Sequence, residues 1–333
     1  MIIVNQAILH ILDFRSGDMV FSDEPLSAND TIQMFLEKHI ERLYKRQDLH
    51  PAVFAEDSAF LAQLQSYKKN DMTLAAFSRQ IAERLQNELI RADNLESSGL
   101  IAADILMDDE PYFVLLHFTN HQGYLYEVRQ TEQGVQNDIV TPYALLPGLT
   151  QKVEEAAFIH LPNHTIRVTS KRYAVEGERI DVLTDAILEC QAAPSPKDAM
   201  TELAKITEAV AEAYGQDQVQ KAAAMKKYVA DNMESGDMLN VEEAAPVIFE
   251  ESPAMQEDFR QAARDAGFTE PVQMDREATV KKVNRHKLKT DTGIELSIPT
   301  DYMDNTEFIE FNTNADGTLS ITLKHIANIV NRK

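Results

Sequence analysis

The stretch Ile101-Ala-Ala-Asp-Ile-Leu-Met-Asp-Asp-Glu-Pro-Tyr-Phe-Val-Leu-Leu-His-Phe118 contains two apolar runs around a short acidic segment. The runs cover 101–107 and 112–118, and turn-forming residues at 108–111 separate them. This pattern is typical of two antiparallel strands joined by a tight turn. The same criteria predict further strands at 2–14, 19–22, 124–129, 156–161 and 165–172. We therefore expect a mostly antiparallel sheet in the N-terminal part of the chain.

Three amphipathic helices are predicted between the first strands and this sheet. The first follows Asn29, whose side chain suits a helix N-cap, and places apolar residues at helical spacing up to residue 44. The other two cover about 57–68 and 71–92. We expect these helices to cover one face of the sheet.

The segment Ala192-Ala-Pro-Ser-Pro196 is the clearest linker in the chain, and helical periodicity begins after it. Helices are predicted at 197–214, 216–233, 241–248 and 253–266, and Gly267 supplies a helix C-cap. The final section alternates like strands and predicts a small antiparallel β-meander. The sequence thus predicts an α+β protein with three parts, namely an N-terminal α+β domain (1–191), an acidic helical unit (192–271) and the C-terminal β-meander (272–333).

The chain is acidic, with 54 Asp and Glu side chains, 32 Lys and Arg, and a formal charge of −22. Its single cysteine, Cys190, excludes an intramolecular disulfide and suggests a reducing compartment. We found neither a signal-peptide pattern nor an apolar run long enough to span a membrane, which favours a soluble cytoplasmic protein. The sequence also lacks nucleotide-binding and nucleophile motifs, so we predict no enzymatic activity, no cofactor and no metal.

One basic stretch, Arg276–Lys289, interrupts this acidic background. Residues 190–275 have a net charge of −10, whereas 276–333 have +1. If 285–290 is a strand, alternate cations share one face, and the cations just upstream lie on a short helix. Such a cluster could follow a phosphate backbone, or it could form a solvated strand face that pairs with Glu295 or with the acidic helices. The candidate phosphate-binding residues here are Arg276, Lys281, Lys282, Arg285, Lys287 and Lys289.

Two smaller groups of polar residues are further candidates. Arg167 and Lys171 are four residues apart and would share one face of the predicted strand 165–172, either as additional phosphate contacts or as ordinary surface cations. The histidine pairs 117/121 and 160/164 bracket predicted turns. Because no convergent carboxylate or thiolate accompanies them, we interpret them as surface histidines that flank turns.

Several stretches along the chain resemble the nucleoid-associated protein NdpA (YejK) family. This resemblance implies a bacterial protein of the nucleoid that binds double-stranded DNA, with no known enzymatic reaction, and it carries over no DNA-contacting residue. The stretches that resemble the family are Ala7-Ile-Leu-His-Ile-Leu-Asp-Phe-Arg-Ser-Gly17, Phe21-Ser-Asp-Glu-Pro-Leu26, Ala76-Phe-Ser-Arg79, Arg84-Leu-Gln-Asn-Glu-Leu89, Phe259-Arg-Gln-Ala-Ala-Arg-Asp-Ala-Gly267 and Asp275-Arg-Glu-Ala-Thr279.

Two functional hypotheses follow. The first is a homodimeric protein that binds duplex DNA through phosphate contacts with weak sequence preference, because dimerisation would double a modest basic patch. The second is an acidic interaction factor that docks a DNA-handling enzyme and reaches the nucleoid indirectly, because the helical unit of charge −10 can compete for a DNA-binding groove.

Overall fold

The computed structural model describes residues 1–142, 145–250, 252–303, 305–314 and 318–328. The chain divides into two units, Met1–Ala193 and Pro194–Lys333, which we treat separately. The predicted further boundary between residues 271 and 272 stays a prediction. Across the described residues, no helix has the length and apolar composition needed to cross a membrane.

The first unit combines three α-helices and one π-helix with twelve strands among its described residues. The helices are α1 (Asp30–Tyr44), α2 (Ala59–Lys68), α3 (Leu74–Leu89) and the π-helix Val182–Leu188. The strands are β1 (Ile2–Asp13), β2 (Asp18–Val20), β3 (His50–Phe54), β4 (Ser98–Met107), β5 (Glu110–Thr119), β6 (Leu125–Thr131), β7 (Gly134–Val140), β8 (Glu155–His160), β9 (Ile166–Thr169), β10 (Arg172–Val175), β11 (Glu178–Asp181) and β12 (Cys190–Ala192).

Eight strands form one antiparallel sheet in the order β12-β3-β9-β8-β5-β4-β1-β2. The β4–β5 hairpin lies near its centre, with Met107 paired to Glu110. The two residues between the strands, Asp108 and Asp109, have φ of 51° and 67°. Positive φ at both central positions matches the right-handed twist of the strands and is tolerated by aspartate. The predicted hairpin is therefore confirmed.

Both faces of the sheet are covered, whereas we expected the helices to cover one. Leu100 and Ala102 of β4 pack in a core with α2, α3 and the π-helix, and Ile101 and Ala103 pack in a second core with α1. A strand buried on both sides has a continuous apolar run instead of an alternating one. The run at 100–103 shows this pattern, which our expectation of one covered face did not take into account.

Four of the strands described for this unit lie outside the eight-stranded sheet, and two of them, β10 and β11, pair with each other. The predicted strand 124–129 appears as β6, but it pairs with β7 in a separate two-stranded sheet. The sequence did not predict β7, because Gly134–Val140 has little hydrophobic alternation. Most side chains of this hairpin are exposed.

The second unit begins with the predicted helices. Ser195 caps α4 through a reciprocal capping box with Asp198, and Pro196 occupies the first turn, which fixes the helix start immediately after the linker. Gly267 has φ of 88° just beyond the last long helix, as predicted for a C-cap. The helices are α4 (Pro196–Ala213), α5 (Gln218–Ser235), a 3₁₀ turn (Glu242–Ala244), α6 (Ala245–Ile248), α7 (Pro253–Asp265) and α8 (Arg276–Val283), and the short strands β13 (Met238–Leu239) and β14 (Val272–Gln273) pair with each other.

The C-terminal strands form two separate hairpins, β15 (Arg285–Lys289) with β16 (Glu295–Pro299), and β17 (Ile309–Thr313) with β18 (Leu319–Leu323). A 3₁₀ turn, Thr300–Tyr302, follows β16. The predicted α+β class is confirmed, with the final strands as a pair of small antiparallel sheets. Ile298, Met303 and Ile309 pack against Ala223 of α5. Within the predicted meander, the sequence also predicts a turn at Asn314-Ala-Asp-Gly317, of which residues 315–317 lie outside the described residues.

Candidate nucleic-acid interface

The basic stretch forms the helix α8 and the strand β15, as predicted. Thr279 and Val283 of α8 are buried, and Val283 belongs to the core formed by α4 to α7. Outside this buried stripe, Lys281 and Lys282 are exposed. Packing of one helical stripe thus fixes these two cations at the surface.

The strand β15 shows the predicted alternation. Arg285, Lys287 and Lys289 are exposed, whereas His286 is buried and Leu288 is half-buried. Pairing with β16 holds the strand in one register, from Arg285 opposite Pro299 to Lys289 opposite Glu295. Alternate residues of a strand are about 6.6 Å apart, so the three cations form a regular row.

The row lines a groove of about 1000 Å³ in the second unit. Six of its ten lining residues are Lys or Arg, and one is acidic. The remaining three are Leu288, Leu296 and Ser297. A concave surface with so many cations and a single carboxylate has a strongly positive potential. The charged lining residues are Lys226, Lys281, Lys282, Arg285, Lys287, Lys289 and Glu295.

Lys226 joins this groove from α5, and the sequence alone did not identify it. Its ammonium group lies 3.5 Å from the carbonyl oxygen of Arg285. Burial lowers the pKa of Lys226, and the negative charge of Glu208 opposes that shift. Burial together with the charge of Lys226 also lowers the pKa of His286, to about 4. Lys226 is thus a half-buried residue of the groove, and its charge disfavours protonation of the nearby buried His286.

Lys281 and Lys289 each form an ion pair at the rim of the groove. Lys281 lies 3.9 Å from Glu277, and Lys289 lies 3.4 Å from Glu295, the pair expected across the hairpin. The four side chains are 70% or more exposed, so each pair contributes little and exchanges readily with another anion. Hence these contacts leave the groove positive. Arg276 is outside the groove lining and donates to the carbonyl oxygen of Glu234 at 3.1 Å.

Arg167 and Lys171 belong to the first unit and have local partners. The predicted strand 165–172 is split, because β9 ends at Thr169 and β10 begins at Arg172. The Arg167 guanidinium lies 4.5 Å from the ring centroid of Tyr44. Lys171 forms ion pairs with Glu96 and, at 3.6 Å, with Glu154. Their role as phosphate contacts stays a prediction.

His117 is not a surface residue, and our interpretation of it was wrong. It is 4% exposed, and its Nδ1 lies 2.5 Å from a carboxylate oxygen of Glu155, which is 2% exposed. Tyr173 donates to the same carboxylate oxygen at 2.5 Å. The sequence did contain a signal, because His117 lies between Leu116 and Phe118 within the apolar run 112–118. Within the described residues, no group of His, Cys, Asp and Glu has the arrangement of a metal site.

These features define an α+β protein whose second unit carries a cationic groove, a surface suited to polyanions. Comparison with family models matches residues 8–330 to the family described as nucleoid-associated protein YejK, and the chain belongs to this family. No curated protein matches the chain. The family associates the chain with the nucleoid, and it is not a known enzyme family.

Proposed function

We propose that this chain is a non-enzymatic protein that binds duplex DNA directly, with the groove of the second unit as the phosphate-binding surface. The observation that carries the proposal is the convergence of six cations from α5, α8 and β15 on one groove. Phosphate contacts supply most non-specific affinity for DNA. Membership of a nucleoid-associated family supports the same conclusion.

Weak sequence preference follows from the chemistry of the groove. Lysines predominate in its lining, and a lysine ammonium acts as a compact point charge without the planar fork that recognises guanine in the major groove. Arg285 is the single arginine among the lining residues. We therefore propose that the groove follows the sugar–phosphate backbone and does not identify bases.

The salt dependence of DNA binding tests this proposal. With about five phosphates contacted per groove, log affinity should fall against log salt with a slope of about −4.5. Replacing Lys281, Lys282 and Lys287 by Gln should reduce the magnitude of the slope by about 2.7, because three contacts are lost. The measurement is fluorescence anisotropy of a labelled duplex between low and physiological salt.

The matched control replaces three exposed lysines of the same unit that lie outside the groove, Lys197, Lys205 and Lys227, by Gln. Its slope should equal that of the wild type. The alternative, in which acidic helices dock a DNA-handling enzyme, predicts no binding by the purified chain and recovery of DNA only with the partner. Absence of salt-dependent binding by the purified protein would therefore favour this indirect association.

Neighbouring lysines on α5 allow a second test of the groove. Lys226 lines the groove, whereas Lys227 is exposed outside its lining. We expect Lys226→Met to reduce the magnitude of the salt slope by about 0.9 and Lys227→Met to leave it unchanged. The melting temperature of Lys226→Met should stay at the wild-type value or above, since removing a half-buried charge relieves a desolvation cost. That of Lys227→Met should stay close to the wild-type value, because Lys227 is exposed. Equal slopes for the two variants would exclude Lys226 from the interface.

A further inference from the structure

The β6–β7 hairpin of the first unit has an exposed apolar face. Residues paired across the hairpin share a face, and Tyr126 pairs with Ile139 while Gln130 pairs with Val135. Val128 lies between Tyr126 and Gln130 on that same face. Tyr126 is 86% exposed, Ile139 72%, Val135 62% and Val128 60%. A two-stranded hairpin with an uncovered apolar face is only marginally stable in water, whereas a sheet of three or more strands can be stable by itself.

The charge of the hairpin disfavours DNA as the partner. Residues 125–140 include Glu127, Glu132 and Asp138 but a single cation, Arg129. An acidic, apolar ribbon repels phosphates and suits a protein surface.

The order of charges along β6 indicates that the partner of the hairpin is a second copy of this chain. Its centre reads Glu127-Val128-Arg129, with opposite charges on the two sides of Val128. When two copies of such a strand pair antiparallel about Val128, Glu127 of each copy lies directly opposite Arg129 of the other. Both cross-strand pairs then have opposite charges, and the apolar faces of the two hairpins join into one four-stranded sheet. The same pairing of β7 about Asn137 places Asp138 opposite Gln136 and gains no ion pair.

We propose that the free edge of β6 is the dimer surface of this protein, with β6 of a second copy paired antiparallel about Val128. Within the described part of the chain, the sheet consists of β6 and β7, so the outer edge of β6 pairs with no other strand there. Arg129 now contacts Glu127 of its own strand, with Nε 2.7 Å from Oε2, and Asp138 at 3.7 Å. These contacts are half exposed, so they exchange for the pairs across the interface at little cost. The twofold arrangement is isologous, as in most soluble homodimers.

Two single charge reversals test the register. In the dimer of Arg129→Glu, a glutamate at position 127 of each copy lies opposite a glutamate at position 129 of the other. In the dimer of Glu127→Arg, both positions of each pair are arginines. We expect each variant alone to have a dimer dissociation constant raised about tenfold or more, since like charges directly opposite each other destabilise a strand pair. Mixed in equal amounts, the two variants should form heterodimers with the wild-type constant, because every pair is then opposite in charge.

The measurement is sedimentation with one variant fluorescently labelled, without DNA, so its outcome does not depend on the groove. A purely intrastrand role for the Glu127–Arg129 contact predicts no recovery on mixing, and that result would overturn the proposal. So would a monomeric wild type, or single variants that dimerise like the wild type.

A cysteine at the twofold axis provides a second readout. Val128→Cys places two thiols opposite each other at about 4.5–5.5 Å between Cα atoms, which is within disulfide range. We expect rapid oxidation to a covalent dimer. The control is Val135→Cys, on the same face but in the other strand, which should stay reduced under the same conditions. Equal cross-linking of both variants would contradict the register.

Discussion

Reversing five charges of the groove should abolish binding to duplex DNA while leaving the fold intact. The variant replaces Lys281, Lys282, Arg285, Lys287 and Lys289 by Glu. A cation 4 Å from a phosphate contributes about 1 kcal/mol in water, so loss of five contacts alone removes about 5 kcal/mol. Since 1.4 kcal/mol is a factor of ten, affinity should fall by more than about a thousandfold, and repulsion by the new carboxylates lowers it further. The measurement is anisotropy of a labelled duplex at low salt.

The control for this experiment must carry the same change in net charge. Lys38, Lys69, Lys197, Lys205 and Lys227 are exposed and lie outside the groove, so their replacement by Glu changes the total charge equally. This control should retain binding to within about tenfold, because none of the five side chains lines the groove. Circular dichroism and melting temperature show whether both variants fold. If the two variants lose affinity equally, net charge and not the groove determines binding.

The groove illustrates what local sequence pattern can predict. The two-residue period of a strand was enough to predict the row Arg285, Lys287 and Lys289. One buried stripe on α8 accounts for the exposure of Lys281 and Lys282. Both features depend only on residues close together in the chain, so the local sequence pattern is enough to predict them. Lys226 lies 59 residues before Arg285, and only the packing of α5 against α8 and the last hairpins brings it into the groove.

The same limit applies in the first unit. The apolar run at 101–107 predicted a strand, but the sheet order depends on pairings between distant residues, such as Val4 with Ile105. Strand β3 was not predicted, because it is short and contains Pro51, which is uncommon within a sheet. Its partners β9 and β12 follow more than a hundred residues later, so only tertiary structure identifies it as a strand.

The buried carboxylate of Glu155 is the clearest case in which residues far apart in the sequence form one hydrogen-bonded cluster. Besides His117 and Tyr173, the backbone N–H of Lys171 donates to it at 3.2 Å. Burial opposes ionisation of Glu155, but the charge and hydrogen bonds of His117, with the Tyr173 hydroxyl, outweigh it and lower its pKa. The carboxylate is therefore the ionised acceptor that holds β5, β8 and the start of β10 together.

Replacing Glu155 by Ala should destabilise the protein strongly. The variant leaves the His117 ring and the Tyr173 hydroxyl buried without their acceptor, which costs about 3–5 kcal/mol in the free energy of unfolding. Urea unfolding at pH 7, followed by circular dichroism, measures this change. The neighbouring Glu154→Ala is the control, since Glu154 is half exposed and pairs with Lys171 at 3.6 Å, so its loss should cost no more than about 1 kcal/mol.

The pH dependence of this effect separates charge from packing. Because the pKa of Glu155 is lower in the folded state, its ionised form stabilises the fold above the unfolded carboxyl value of about 4.3. This contribution is lost as the pH falls through the folded pKa. The stability difference between the wild type and Glu155→Gln should therefore be largest near pH 7 and decrease below about pH 4. A difference that is constant across this range would show that Glu155 acts through shape and neutral hydrogen bonds, and that its charge contributes nothing to the stability of the sheet.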